Sequence, residues 1–259
     1  MDDKPYLKKP RNYLPLWLCL LAAVLFGIVK DLDISFETLL WGVQDMGEYF
    51  SRYGRPDFHE AATYLRLMGQ TVATALWGTL LAFVISFLGS PLAAKNLSPH
   101  PAVYHLAREV FSFMRAMPDL LLALMFVSAL GLGPLPGALA LGIHTAGFLG
   151  KFLSESMERV DGGVYEAMSA CGAGFSQTVM FAAWPSITRE TVGYTLYIFD
   201  RNVRMASVLG LVGAGGIGLA LHDTLRLFQY DKAAALMLII LITIIAIDWL
   251  SGWLRRNLR

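Results

Sequence analysis

The stretch LLLALMFVSALGLGPLPGALALGIHTAGFLG, Leu120 to Gly150, contains no Asp, Glu, Lys or Arg over 31 residues. An α-helix rises about 1.5 Å per residue, so about 20 apolar residues cross the roughly 30 Å hydrocarbon core of a bilayer. This stretch is therefore long enough for two spans. Gly131, Gly133, Pro134, Pro136 and Gly137 punctuate it, and such residues suit a tight reversal at a membrane face. Four more charge-free blocks lie outward from it: Leu14 to Val29, Leu67 to Ala94, Met205 to His222 and Ala233 to Ile247. Counting two spans in the first stretch and one in each of the others gives an all-α membrane protein with six transmembrane helices.

Composition agrees. Of 259 residues, 56% are hydrophobic and 16% charged, against roughly 25% charged in soluble domains, and the mean hydropathy is +0.52. A formal net charge of +1, with basic residues scattered in short loops, gives no nucleic-acid footprint. Cys19 and Cys171 are too few and too far apart for a disulfide framework, and neither has metal-ligand spacing. Lys8, Lys9 and Arg11 precede the first apolar block, but Ile28-Val29-Lys30-Asp31 offers no small-x-small cleavage site, so that block is expected to remain as a helix.

Orientation follows from the basic residues, because cytoplasmic loops carry an excess of Lys and Arg. With the amino terminus inside, thirteen of the 21 fall inside, six outside, and Arg201 and Arg204 within the fifth span region. Both termini are then cytoplasmic, which an even number of spans requires. Ala167 to Thr188 also lacks charge, but Ser169, Gly172, Gly174, Ser176, Gln177, Thr178 and Pro185 make it polar and broken. A span there would place Arg255, Arg256 and Arg259 outside, so it reads as a cytoplasmic loop with short helices. The organisation is a 1–63 segment, one helix plus an external amphipathic stretch, and a 64–259 core with a cytoplasmic loop at about 154–190.

Small residues four apart mark faces where membrane helices approach closely. Thr74, Gly78, Ala82, Ser86 and Ser90 form one stripe, and Ala138, Gly142, Ala146 and Gly150 another. Packing within one subunit is the expected use. Leu236 to Ile247 is apolar all round, as a lipid-facing helix would be, with Trp249 and Trp253 as anchors at the inner interface.

The loop carries the functional motif. Glu166-Ala167 is followed by Gly172 and then, at fixed distance, by Pro185. This resembles the EAA signature of ABC importer permeases, with Met168, Ala182 and Trp184 departing from the usual residues. The flanking sequence from Leu67 onward resembles the phosphonate-type permeases of that superfamily. The similarity runs through Arg115-Ala-Met-Pro118-Asp119, Gly131-Leu-Gly-Pro134, His144-Thr-Ala-Gly147 and Lys151-Phe-Leu-Ser-Glu155, then Phe199-Asp200-Arg201-Asn202-Val203-Arg204 and Val208 through Gly218. Asp119 and Asp200 stand where Glu is expected.

The resemblance implies a type I ABC importer permease architecture in a bacterial inner membrane. It implies a second copy of the chain, a cytoplasmic ABC ATPase dimer carrying ATP and Mg, and a periplasmic or lipid-anchored phosphonate-binding protein. It also implies ATPase coupling through Glu166, Ala167, Ala170, Gly172 and Pro185. A short helix with Glu166 near its amino end and Gly172 as terminator is a plausible docking peg on physical grounds too. The chain cannot supply the ATPase, since Gly150-Lys151 is followed by Phe152 and lacks the phosphate-cradling glycine loop. No catalytic or metal set and no cofactor of its own is expected.

Arg201, Arg204 and Asp200 lie where charge is expensive and usually meets a partner or an aqueous path. Guanidinium groups grip oxyanions, making both arginines pathway candidates beside an internal Asp200–Arg204 ion pair at helical spacing. Arg115 and Pro118 should kink the third span. Gly213, Gly215 and Gly216 suggest packing or a gate. His144, between small residues, reads as a packing histidine, and Lys151–Glu155 as a structural i,i+4 pair. The same machine with another cargo, such as methionine, is the nearest alternative; a secondary transporter or channel gives no reason for the EAA register.

Overall fold

A computed structural model of the chain describes residues 13–31 and 36–257; Lys4, Lys8, Lys9, Arg11 and Arg259, used above for orientation, lie outside them. The described residues are helical and turn, and they divide into two compact units, 1–54 and 55–259. The first unit holds α1 (Leu14–Asp31) and α2 (Phe36–Ser51). The former is the expected apolar helix. The latter exposes Trp41, Val43, Met46 and Phe50 beside Asp45 and Glu48.

The second unit holds α3 (Ala61–Gly89), α4 (Pro101–Ala116), α5 (Asp119–Leu130), α6 (Pro134–Glu158), α7 (Gly162–Ala170), α8 (Phe175–Thr178), α9 (Trp184–Leu209), α10 (Gly216–Arg226) and α11 (Tyr230–Asn257). Helices α3 and α11 are long and apolar enough to cross a membrane by themselves, and the bent pairs α4–α5 and α9–α10 add up to two more.

Helices α3 and α6 form the most extensive contact, and the two small-residue stripes are its two sides. A Cβ at Gly78 would lie 2.9 Å from Leu141 Cβ, one at Gly142 2.6 Å from Leu81, and Ser86 donates to the Ala146 carbonyl at 3.1 Å. The aromatic knob Phe111 of α4 fills the next hollow, over Gly89 and Gly150. Dispersion at such close approach is what holds helices together where no hydrophobic drive acts between them. Helix α11 buries Ala235, Leu236 and Ile239 and exposes Leu241, Ile242, Ile245, Trp249 and Trp253. It is therefore lipid-facing on one side rather than all round.

Two sequence expectations need correcting. The segment read as a kinked third span is broken at Pro118, because α4 and α5 meet at 84° and α5, at 12 residues, is too short to cross alone. Pro118 lacks an N–H and pushes Met117 into an extended conformation, which ends α4. The charge-free block from Met205 does not mark where its helix begins. Helix α9 starts at Trp184, led in by a π turn over Val179–Ala183, and the Met205–His222 block breaks near Gly213. Arg189, Glu190, Asp200, Arg201 and Arg204 masked its apolar face to a charge count. Pro185 follows directly on this π turn, where the helix ladder is already interrupted and a missing N–H is tolerated.

Candidate functional site: a capped short helix and a polar core

Helix α7 is built at both ends. Asp161 accepts from the Gly163 N–H at 2.9 Å and caps the start. At the other end Gly172, at φ +75°, donates to the Ser169 carbonyl while Ala173 donates to Met168, the paired bonds of a Schellman terminator. Gly172 is thus the expected terminator. Glu166, however, is the fifth residue of the helix, not near its amino end, and Asp161 takes the role assigned to it at the helix dipole. Glu166, Ala167 and Ala170 lie on an exposed face, continued by exposed Phe175, Met180 and Phe181. On the opposite side the Tyr165 hydroxyl donates to the Met157 carbonyl at 2.9 Å, and burial pushes its phenol above the ordinary range, so it stays a donor.

The end of α6 beneath this helix is braced. Arg108 of α4 reaches Glu158 at 3.1 Å and Glu155 at 3.5 Å, and Glu158 also accepts from the Lys95 N–H at 2.8 Å. Glu155 therefore pairs with Arg108, not with Lys151. Asn96 donates to the Met157 carbonyl at 3.0 Å, and Arg159 pairs with Glu190 of α9 at 3.0 Å. Trp184, a departure from the family pattern, is buried and stacks on Phe87 with centroids 4.2 Å apart. Ala182, another departure, is buried as well.

The middle of α9 carries a polar core. Asp200 binds Arg204 one turn on, with the carboxylate buried and the guanidinium half-exposed. Fully buried Asn202 donates to Thr79 of α3 at 3.0 Å and Thr145 of α6 at 3.4 Å, tying three helices. Arg201 meets His144: Nη2 lies 3.0 Å from Nε2, and Nδ1 lies 2.8 Å from the Met117 carbonyl. A guanidinium only donates, so Nε2 accepts and the imidazole is neutral with its proton on Nδ1. His144 thus connects the α4–α5 break to α9. Arg201 and Arg115 both lie over the Phe148 ring, at 4.6 and 5.5 Å from its centroid.

At the end of α9 the chain turns through Gly213, Gly215 and Gly216, all at positive φ. The Gly213 carbonyl accepts from Gly133 at 3.0 Å, and Thr71 Oγ1 accepts from the Ile217 N–H at 3.0 Å, capping α10. A Cβ at Gly216 would lie 2.2 Å from that Oγ1. Within the chain, these glycines pack against α3 and the α5–α6 turn.

Sequence reading found Asp200–Arg204 from spacing alone. It missed Asn202, the His144–Arg201 contact and Phe148, whose partners lie far away in sequence; the signal available was polar side chains beside apolar neighbours in Phe199 to Arg204.

Residues 85–259 match the model of the "Binding-protein-dependent transport system inner membrane component" family. The phosphite transport system permease protein PtxC of Stutzerimonas stutzeri is 38% identical over 92% of this chain and 88% of its own length. The phosphate-import permease protein PhnE of Mycolicibacterium smegmatis is 41% identical over 90% of this chain, which spans 43% of that longer protein. Among solved structures, the inward-facing MetNI methionine ABC transporter superposes with TM-score 0.65 over 75% of this chain and 95% of that one, at 18% identity. A bacterial ABC transporter for alginate gives 0.62 over 94% and 99%, at 13% identity.

Proposed function

Because the chain belongs to the family of binding-protein-dependent transport system inner membrane components, we propose that it passes a phosphorus oxyanion, phosphite, phosphate or a phosphonate, inward across a bacterial inner membrane. It is a permease subunit of an ABC importer, a transport component rather than an enzyme. The observation that carries the cargo class is the 38 and 41% identity, over nine-tenths of the chain, to permeases named for phosphite and phosphate. The methionine transporter's likeness, at 18% identity, bears on the fold alone.

In this reading a six-span chain with both termini cytoplasmic pairs with a second copy. The exposed face of α7, with Glu166, Ala167 and Ala170, sits in a groove of a separate ATPase, which holds ATP and Mg. An external binding protein delivers the anion. The capped, tethered geometry of α7 supports the docking role: a nine-residue helix held at both ends transmits a push instead of fraying. Arg115, Asp200, Arg201, Arg204 and the Gly213–Gly216 turn remain the candidates for the path and its gate.

The test is uptake of labelled methylphosphonate and phosphite into proteoliposomes holding this chain, its ATPase and its binding protein. ATP-dependent accumulation is expected. ATP hydrolysis stimulated by the binding protein without entry of any phosphorus anion would leave the importer class standing and remove the cargo.

A further inference from the structure

Two arginines of the helical unit share one aromatic ring. Arg108, Arg159 and Arg204 each meet a carboxylate. Arg115 and Arg201 meet none among the described residues, yet both sit over the one Phe148 ring. Two guanidinium groups thus share an aromatic platform without a counter-ion among the described residues, Arg115 exposed and Arg201 part-buried.

Arg201 is the more constrained. Nη2 is spent on His144, and the ring of Phe148 holds the plane. Nη1 is sealed from solvent and has no hydrogen-bond partner. Neither nearby acid is hydrogen-bonded to the Arg201 fork. Asp200 binds Arg204 and, one residue from Arg201, projects about 100° away around the helix. Asp119 accepts from the Leu120 N–H at 3.0 Å. Asp200 Oδ1 and Asn202 Oδ1 on the same helix are also buried without a partner, but both are acceptors; Arg201 Nη1 is the open donor among them, and a charged donor left open calls for an acceptor that brings its own negative charge.

We propose that Arg201 Nη1, with Arg115 as second cation on the Phe148 platform, is a transient contact for one oxygen of a tetrahedral phosphorus oxyanion in transit, and that His144 is its positioning residue. The proposal rests on the cargo class inferred above. Because Nη1 is sealed here, the anion reaches it only when the packing around α9 loosens. The contact then belongs to part of the cycle, as a carrier that must release its cargo needs. His144 orients the fork from the Met117 carbonyl at the α4–α5 break, so movement of that break re-aims Arg201. Arg204, already neutralised by Asp200, is the weaker candidate.

The experiment uses the complete transporter in proteoliposomes with phosphite and methylphosphonate. Arg201→Gln is expected to cut uptake at least tenfold while the complex still co-purifies, and Arg201→Lys to recover part of it. His144→Ala is expected to lower uptake several-fold, with partial rescue by His144→Gln, whose amide oxygen can accept from Nη2. Uptake by Arg201→Gln within twofold of the unaltered protein overturns the contact; a Gln variant no better than Ala at 144 overturns the positioning role. If Arg201→Gln does not assemble, the unaltered complex decides. Phenylglyoxal modification of Arg201, read by peptide mass, should slow at least threefold with phosphite relative to chloride during turnover, and equal rates overturn the contact. Failure of the unaltered transporter to take up either anion would overturn the cargo class instead.

Discussion

Gly147 shows how little room single residues leave in this core. A Cβ there would lie 2.6 Å from both the Phe111 carbonyl oxygen and the Arg115 nitrogen of α4. Backbone cannot yield as a side-chain tip can, so Gly147→Ala is expected to cost about 1–3 kcal/mol by overpacking. The check is thermal unfolding of the purified chain in detergent; an unchanged melting temperature would mean that α4 does not seat on α6 this closely. Gly216→Ala should be worse, since it adds strain at φ +71° to a 2.2 Å clash with Thr71. At this scale the sequence was legible where partners are one helical turn apart, as for Asp200 and Arg204. It was silent on Arg201 and His144, 57 residues apart, because no local period connects them.

Helices α7 and α4–α5 show what is readable in an element. That a short helix ends at Gly172 could be read from the glycine, but its start could not, because Asp161 looks like one more loop residue until the Gly163 amide is seen to point at it. Removing that cap with Asp161→Ala should cost about 1 kcal/mol and speed amide hydrogen exchange across α7 without disturbing α6. Glu166→Lys leaves the cap intact and reverses charge on the exposed face. It should lower co-purification with the ATPase while membrane insertion persists; stoichiometric binding and normal uptake would argue against docking there. The α4–α5 break was legible as a proline but not as an 84° turn, since proline fixes one dihedral and the rest of the angle is set by what α5 packs against. Likewise, charge on α9 hid a helix that packs a stripe of Ile187, Thr191, Ile198, Asn202 and Leu209 inward.

For the whole molecule, hydropathy located the apolar blocks, and the two small-residue stripes named the central interface before either helix was seen. What they could not give is that the stripes face each other. Asn202 draws that interface together with α9, and Asn202→Ala should lower the melting temperature and leave Thr79 and Thr145 bonded only within their own helices. Rapid proteolysis between α7 and α9 would accompany the loss, and a variant as resistant as the unaltered chain would show the three helices are held by packing alone.

Arg108 has a mechanical meaning beyond its two ion pairs. It rivets α4 to the end of α6, three residues before α7 begins, and α6 is interlocked with α3 along its length. These three helices form a stiff spine, and a spine with no slack cannot bend to accommodate motion. If α7 receives displacement as proposed, the two places where the backbone is jointed, the Met117–Pro118 elbow and the glycine turn before α10, are where it would be taken up. Motion confined to two joints proceeds by steps between discrete poses, not by gradual flexing.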